Sequence, residues 1–223
     1  MRRFLSVLAV WMAAALGAHA KTPSWPTHPV RVVVPFPASG ATDLVARVVT
    51  QRVGQELGQQ FVVDNKPGAG GTIGAAEAAK AAPDGYTLLL TTSSTHAISP
   101  HLLPKLAYDP RKDFTPVAHV ADAPSVLLVT NSLPVKTVGE LIAYAKANPG
   151  KLNYATSGNG TIVHLNTAAF AAQAGIDMAH VPYKGTALAI PDLVTGQVHV
   201  LFDSLPTGMP HVKSGRLRAL AVT

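Results

Sequence analysis

"VVVPFPASGATDLVARVV" (residues 32–49) joins a run of β-branched residues to a short loop and then to a helical pattern. The continuous apolar run Val30 to Val34 is what a strand buried on both faces requires. From Thr42 to Leu57 the apolar positions Leu44, Val45, Val48, Val49 and Val53 form one stripe at helical spacing. A strand, a tight loop and a helix N-terminus in this order offer free backbone N–H groups and partial positive charge to an anion. The loop carries Ser39, Gly40, Ala41 and Thr42 but no lysine, so it lacks the usual grip on a phosphate.

Working outward, the same grammar recurs. Gln60 to Asp64 reads as a second strand. "NKPGAGGTIGAAEAAKA" (65–81) reads as a glycine-rich turn opening an alanine-rich helix, and Tyr86 to Thr92 as a third strand. Thr115 to Asp122 and Val126 to Thr130 are strand-like. Residues 137–150 read as a helix, with Thr137 and Glu140 as a capping box and Pro149-Gly150 as its stop. Residues 152–156, 178–183, 198–202 and 217–222 complete the strand pattern, with helices expected over 161–174 and 188–194. Strands alternating with helices imply βαβ units, a parallel sheet and an α/β fold. Two βα lobes joined by extended crossings near residues 115–125 fit this order.

Composition narrows the classes. Hydrophobic residues make up 48% and charged residues 13% of 223, enough apolar content to fill a core. Met1-Arg2-Arg3, the apolar run Phe4 to Leu16 and Ala18-His19-Ala20 have the layout of a secretory signal peptide ending at residue 20. A membrane anchor would need a longer span. Export implies a periplasmic location. With no cysteine, disulfides, thiol nucleophiles and zinc–cysteine sites are excluded. The formal charge of +6 is mild, and Lys213, Arg216 and Arg218 have no interleaved aromatics, so no nucleic-acid partner is expected.

The second decisive junction is "YATSGNGTIVHL" (154–165). A short strand leads through Ser157, Gly158, Asn159, Gly160 and Thr161 into a helix. Two such junctions, one per lobe, suggest a cleft lined by two helix N-termini. Backbone amides, hydroxyls and water suffice there for a carboxylate. The candidate ligand contacts are Phe36, Ser39, Gly40, Ala41 and Thr42 from the first junction and Ser157, Asn159, Gly160, Thr161 and His164 from the second. Ser93 and Ser94, beside Thr92 at a strand end, and Tyr183 and Asp203 at later strand ends complete the set. Helix capping explains the serines and threonines equally well from the residues alone. His164 could instead satisfy a loop carbonyl, Phe36 could be core, and Asp203 could cap a turn. Asp43 is assigned to capping, because its charge would repel a carboxylate.

Other chemistries fit less well. The glycines of 68–74 miss the dinucleotide pattern, since Ile73 stands where its last glycine belongs, and no Walker lysine follows. Ser157 and His164 invite a hydrolase reading, but no G-x-S-x-G surrounds Ser157. His96 and His101 are five apart, so no metal or other cofactor is expected.

These stretches together resemble the periplasmic solute receptors of tripartite tricarboxylate transporters, the Bug family. The similarity lies in "PFPASGATDLVAR" (35–47), "NKPGAGGTIGA" (65–75), "PDGYTLLL" (83–90), "SGNGTIVHL" (157–165), "VPYKGTALAIPDLVTGQV" (181–198) and "LRALAVT" (217–223), in the family's order. The resemblance implies a two-lobed flytrap, a periplasmic-binding-protein fold that closes on a small mono-, di- or tricarboxylate. It also implies monomeric hand-over to membrane permease subunits, and no enzymatic activity. Lobe one is then expected over 21–120 and lobe two over 121–216, with 217–223 a strand returning to lobe one. Family members continue beyond this point, so lobe one is expected to be incomplete. Two further departures stand out: Ser39 replaces a glycine of the first loop, and Ala169 replaces a glutamate. A ligand-binding sensor for a signalling partner, or a remnant that no longer binds, are alternatives that the same residues allow.

Overall fold

Val30–Val34 (β1) is the centre of a three-stranded parallel sheet in the order β2–β1–β3, where β2 is Phe61–Asn65 and β3 is Thr87–Leu89. The computed structural model describes residues 25–223, so the expected signal peptide lies outside the described residues. Val30, Val33 and Val34 are fully buried, as the unbroken β-branched run requires. Ala41–Leu57 (α1) and Thr72–Ala79 (α2) follow β1 and β2, and the short Ser99–Leu102 (α3) follows β3. Gly58 ends α1 in the left-handed conformation that a side chain disfavours.

The second sheet has five strands in the order β6–β5–β7–β4–β8. These are Ser125–Thr130 (β4), Leu152–Thr156 (β5), Met178–Pro182 (β6), Val200–Ser204 (β7) and Leu217–Val222 (β8). Helices Val138–Ala147 (α4), Ile162–Ala174 (α5), Ile190–Thr195 (α6) and Leu205–Lys213 (α7) connect them. One face is packed around Leu127, Leu141, Tyr154 and Phe202, the other around Val126, Leu128, Leu193 and Leu201. β5 runs parallel to β6 and β7, so all three carboxyl ends lie on one edge. That edge faces the first sheet. The α/β, two-lobed flytrap architecture is therefore present.

The structure corrects several expectations. The second sheet is mixed, because β4 runs antiparallel to both β7 and β8. Residues 217–222 do not return to lobe one: β8 pairs with β4 at the edge of the five-stranded sheet. The physical cause is α7, which turns the chain back beside the free edge of β4 and lets Leu217 join the second core. Thr115 to Asp122 forms no strand. It is extended and exposed, with Val117 82% exposed, because no strand lies alongside to pair with it. The third strand ends at Leu89, earlier than expected. Helix α7, for which no expectation was set, holds both Gly208 and Pro210. Gly208 serves close packing: a Cβ there would stand 2.8 Å from Val126 Cγ1. At α4, Thr137 caps Glu140 N–H at 3.1 Å as expected, but the Glu140 carboxylate reaches the Lys136 N–H, one residue earlier than a capping box predicts.

Candidate functional site

The first junction is braced from below. Asp43 is buried, and its Oδ2 accepts from Ser39 N–H and from Arg47 Nε, each at 2.9 Å. Its Oδ1 accepts from Asn65 Nδ2 at 2.9 Å, and the same amide donates to Phe36 O at 3.0 Å. Burial opposes ionisation of Asp43, but the bonds from Arg47, Ser39 and Asn65 outweigh it and hold the carboxyl below its ordinary range. Asp43 thus ties the loop down, and no side-chain oxygen caps the first turn of α1. Gly40 is its N-cap residue, and Ala41 and Thr42 open the helix. Ser39 sits at φ 65°, the left-handed region that favours glycine and where a side chain costs about 1 kcal/mol. The Phe36 ring is buried and packs against Gly71, where a Cβ would lie 3.2 Å from its Cζ.

The second junction uses its side chains on itself. Thr161 is fully buried and is the N-cap of α5. Its hydroxyl donates to Gly158 O at 2.8 Å, and accepts from Ser157 Oγ at 3.0 Å and from His164 N–H at 3.4 Å. His164 Nδ1 accepts from Gly160 N–H at 3.1 Å. Ser157 and His164 are therefore bonded to other groups, not to each other, which leaves the hydrolase reading without its nucleophile–base contact. Asn159 is exposed at the loop tip.

Each junction meets the other lobe: the second meets Ser94 and the 68–71 loop, and the first meets Gly185. Ile162 N–H, in the first turn of α5, donates to Ser94 Oγ of lobe one at 3.1 Å. A Cβ on Gly158 would lie 3.4 Å from Gly70 N, and one on Gly70 would lie 3.3 Å from Asn159 O. A Cβ on Gly185 would stand 2.6 Å from Pro37 Cγ. Ser94 and its neighbours do not end a strand. They wind into a wide helical turn over Ser94–Ile98, pinned by the Ser99 hydroxyl donating to Ser94 O at 2.8 Å. Ser93 is exposed at the start of that turn.

Tyr183 and Asp203 lie at the same edge but face lobe two. The Tyr183 hydroxyl donates to Asp192 Oδ2 at 2.5 Å, and burial, with Asp192 adding, pushes it up to about 12. Asp203 is buried with Oδ2 unpartnered among the described residues. Burial pushes its carboxyl up, an effect that Thr207, Thr186 and His211 offset only in part. Two open grooves lie elsewhere. One of about 740 Å³ runs along α1 and β2, and another of about 490 Å³ lies between α2 and residues 103–107. Among the described residues no cluster of three or more metal-ligating side chains occurs.

Sequence reasoning missed Pro37, Gly70, Gly185 and His180. Four successive positive φ values at Gly68, Ala69, Gly70 and Gly71 show that the 68–71 loop does more than open α2: it brings backbone against backbone across the lobes. The density of glycine there was the available signal. Pro37 and Gly185 give none, because their contact exists only between lobes.

Two α/β lobes meeting along the carboxyl ends of their strands, with a strand–loop–helix junction from each at the seam, define a periplasmic-binding-protein architecture. Residues 45–223 match the family described as tripartite tricarboxylate transporter family receptor, and the chain belongs to that family. It is 39% identical over 224 residues to protein BugT of Bordetella pertussis, covering all of this chain and 69% of BugT. Its structure is similar to R. palustris Rpa4515 with adipate, with TM-score 0.87 and 43% identity over 89% of this chain and 67% of that one. It is also similar to MatC (Rpa3494) from Rhodopseudomonas palustris with bound malate, with TM-score 0.83 and 38% identity over the same shares. The chain spans about two thirds of the length of the relatives it matches.

Proposed function

We propose that this protein is a periplasmic receptor that captures a small carboxylate between its lobes and delivers it to the membrane subunits of a tripartite tricarboxylate-type importer. It acts by binding and closure, without chemistry on the ligand. The observation that carries this reading is the seam itself. The first turn of α1 has no side-chain cap, and it follows the loop whose Pro37 meets Gly185 of lobe two. Uncapped N–H groups and the helix dipole favour an anion. Relatives of the same fold hold adipate and malate. Ala41 and Thr42 supply the anion-binding end of α1, with Ser39 and Gly40 shaping the approach. Ser157, Thr161 and His164 hold the opposing loop in place, and Asn159 and Gly160 present it. Phe36 walls the seam, and Ser93 sits at the rim. Because a ligand that bridges the lobes binds the closed form better, it shifts the population toward closure.

The test is calorimetric titration of the protein with malate, adipate and the diamide of each acid. Binding of an acid and not of its amide is the expected result. Equal binding of acid and amide, or melting that no carboxylate of a broad panel raises, overturns the reading.

A further inference from the structure

Behind the second junction, three rings are stacked on the face of the sheet that α5 covers. Tyr154 and His180 lie 5.0 Å apart at 16°, and His180 and His164 lie 4.2 Å apart at 9°. Each histidine holds one amide of the loop. Gly160 N–H donates directly to His164 Nδ1 at 3.1 Å. Gly158 N–H donates to Thr156 Oγ1 at 3.2 Å, and that oxygen lies 2.7 Å from His180 Nε2. A backbone N–H can only donate, so His164 Nδ1 must be unprotonated. The Thr156 hydroxyl, accepting from Gly158, has its proton free for His180 Nε2, since its other acceptor, Gly158 O, is 3.5 Å away.

We propose that His164 and His180 form a proton-sensitive brace that positions the 157–160 loop for ligand only while both rings are neutral, with His180 a positioning residue that touches no part of the seam. The proposal rests on the receptor reading above. Protonating His164 sets an N–H against the Gly160 N–H, breaks that bond and places a cation in the first turn of α5, where the helix dipole opposes it. Protonating His180 reverses its bond to Thr156, and a second charge on the facing ring adds repulsion at close range. Burial, then the neighbouring His164, holds the proton affinity of His180 below the ordinary histidine value.

His96 and His101 lie on the lobe-one turns packed against the loop, and among the described residues the elements that carry the rings hold no other charged group. β5 contributes Tyr154, held neutral by burial, β6 contributes His180, and α5 carries no titratable group besides His164. The acid of β7, Asp203, alternates to the opposite face with Leu201. β6 is an edge strand, and no ion pair among the described residues reaches either ring.

The experiment is titration of the full chain with malate and adipate between about pH 7.5 and about pH 5.5, across the ordinary histidine pKa. His164→Asn supplies an acceptor near the Nδ1 position that does not titrate, and the ligand's own titration cancels in the ratio of the two proteins. Whatever its value at the upper end, the ratio of wild-type Kd to H164N Kd is expected to rise about tenfold as pH falls over that interval. His180→Phe keeps the stack but loses the acceptor and the charge. It is expected to weaken binding several-fold at the upper pH and to show a smaller pH dependence than the wild type. A ratio that stays constant with pH overturns the proposal. Amide-exchange protection of Gly160 without ligand gives a separate readout: loss of protection on acidification in wild type but not in H164N is expected. Retained protection in both sinks the brace. Loss of protection without binding of any acid would instead preserve the brace and refute the receptor reading.

Discussion

The two junctions share a strand–loop–helix grammar but use their polar groups in opposite ways. At the first, the acid at Asp43 turns away from the helix end and ties the loop through Ser39, Arg47 and Asn65. The first turn of α1 is left without a side-chain cap. At the second, Thr161 caps α5 from within, His164 holds Gly160, and Ser94 of the other lobe takes the Ile162 N–H. One junction is open because its brace lies beneath it, and the other is stiff because its brace lies inside it. A helix N-terminus after a glycine loop is therefore not by itself a ligand site: where the local side chains point decides how many donors are left.

Four substitutions would break or sharpen that contrast. The largest effect is expected at Asp43. Asp43→Ala leaves three donors without their acceptor in a buried setting and should destabilise the fold by about 2–3 kcal/mol, read by denaturant unfolding. Its binding should fall with it, whereas a merely local capping role would cost about 1 kcal/mol. Gly185→Ala comes next. Its φ of 163° is extended backbone, so the substitution strains only the contact with Pro37. Carboxylate affinity should fall about tenfold or more through overpacking at the seam, with the ligand-free melting temperature unchanged. Unchanged affinity would mean that ligand binds without the lobes meeting here.

Thr161→Val removes the internal cap and should cost about 1 kcal/mol of stability and several-fold in affinity. Ser94→Ala is the smallest. Losing one neutral hydrogen bond across the lobes should weaken ligand by about threefold to tenfold and leave the melting of the free protein unmoved. If Ser94→Ala destabilised the free protein as much as Thr161→Val, the Ser94 bond would be structural and the contrast between the junctions would weaken.

A fifth prediction concerns pH. Burial lowers the proton affinity of His96, His180, His199 and His211. Each therefore favours the fold while neutral. That stability is present above the ordinary histidine pKa of about 6.5 and is lost as pH falls through the lowered folded-state values. Asp203 works the other way: with its folded-state affinity for a proton raised, it opposes the fold at neutral pH, where it must ionise. Asp203→Asn should raise the melting temperature at neutral pH, a gain that shrinks toward acid. A gain independent of pH would show that Asp203 is not the cause.

Much of the fold was legible. The β1–α1 and β5–α5 junctions, the helix ending at Gly175 and the strands at 152–156 and 178–182 follow from periodicity and capping, which act within a few residues. Ser39 was legible as a backbone problem, and its φ of 65° shows the strain in place. The parts that failed depend on partners distant in sequence. Thr115 to Asp122 has strand composition but no strand beside it, and β8 lies at the edge of β4 because α7 carries it there.

By itself the sequence determined the α/β alternation, the pair of helix-opening loops and the family resemblance, because each is written in local spacing. Tertiary structure alone decided which donors stay uncapped, that Ser94 bonds Ile162, that Gly70 faces Gly158, and that His180 stacks behind His164. Those contacts join residues far apart in the chain, and hydrogen bonds and ring contacts form only where packing brings such groups within a few ångströms.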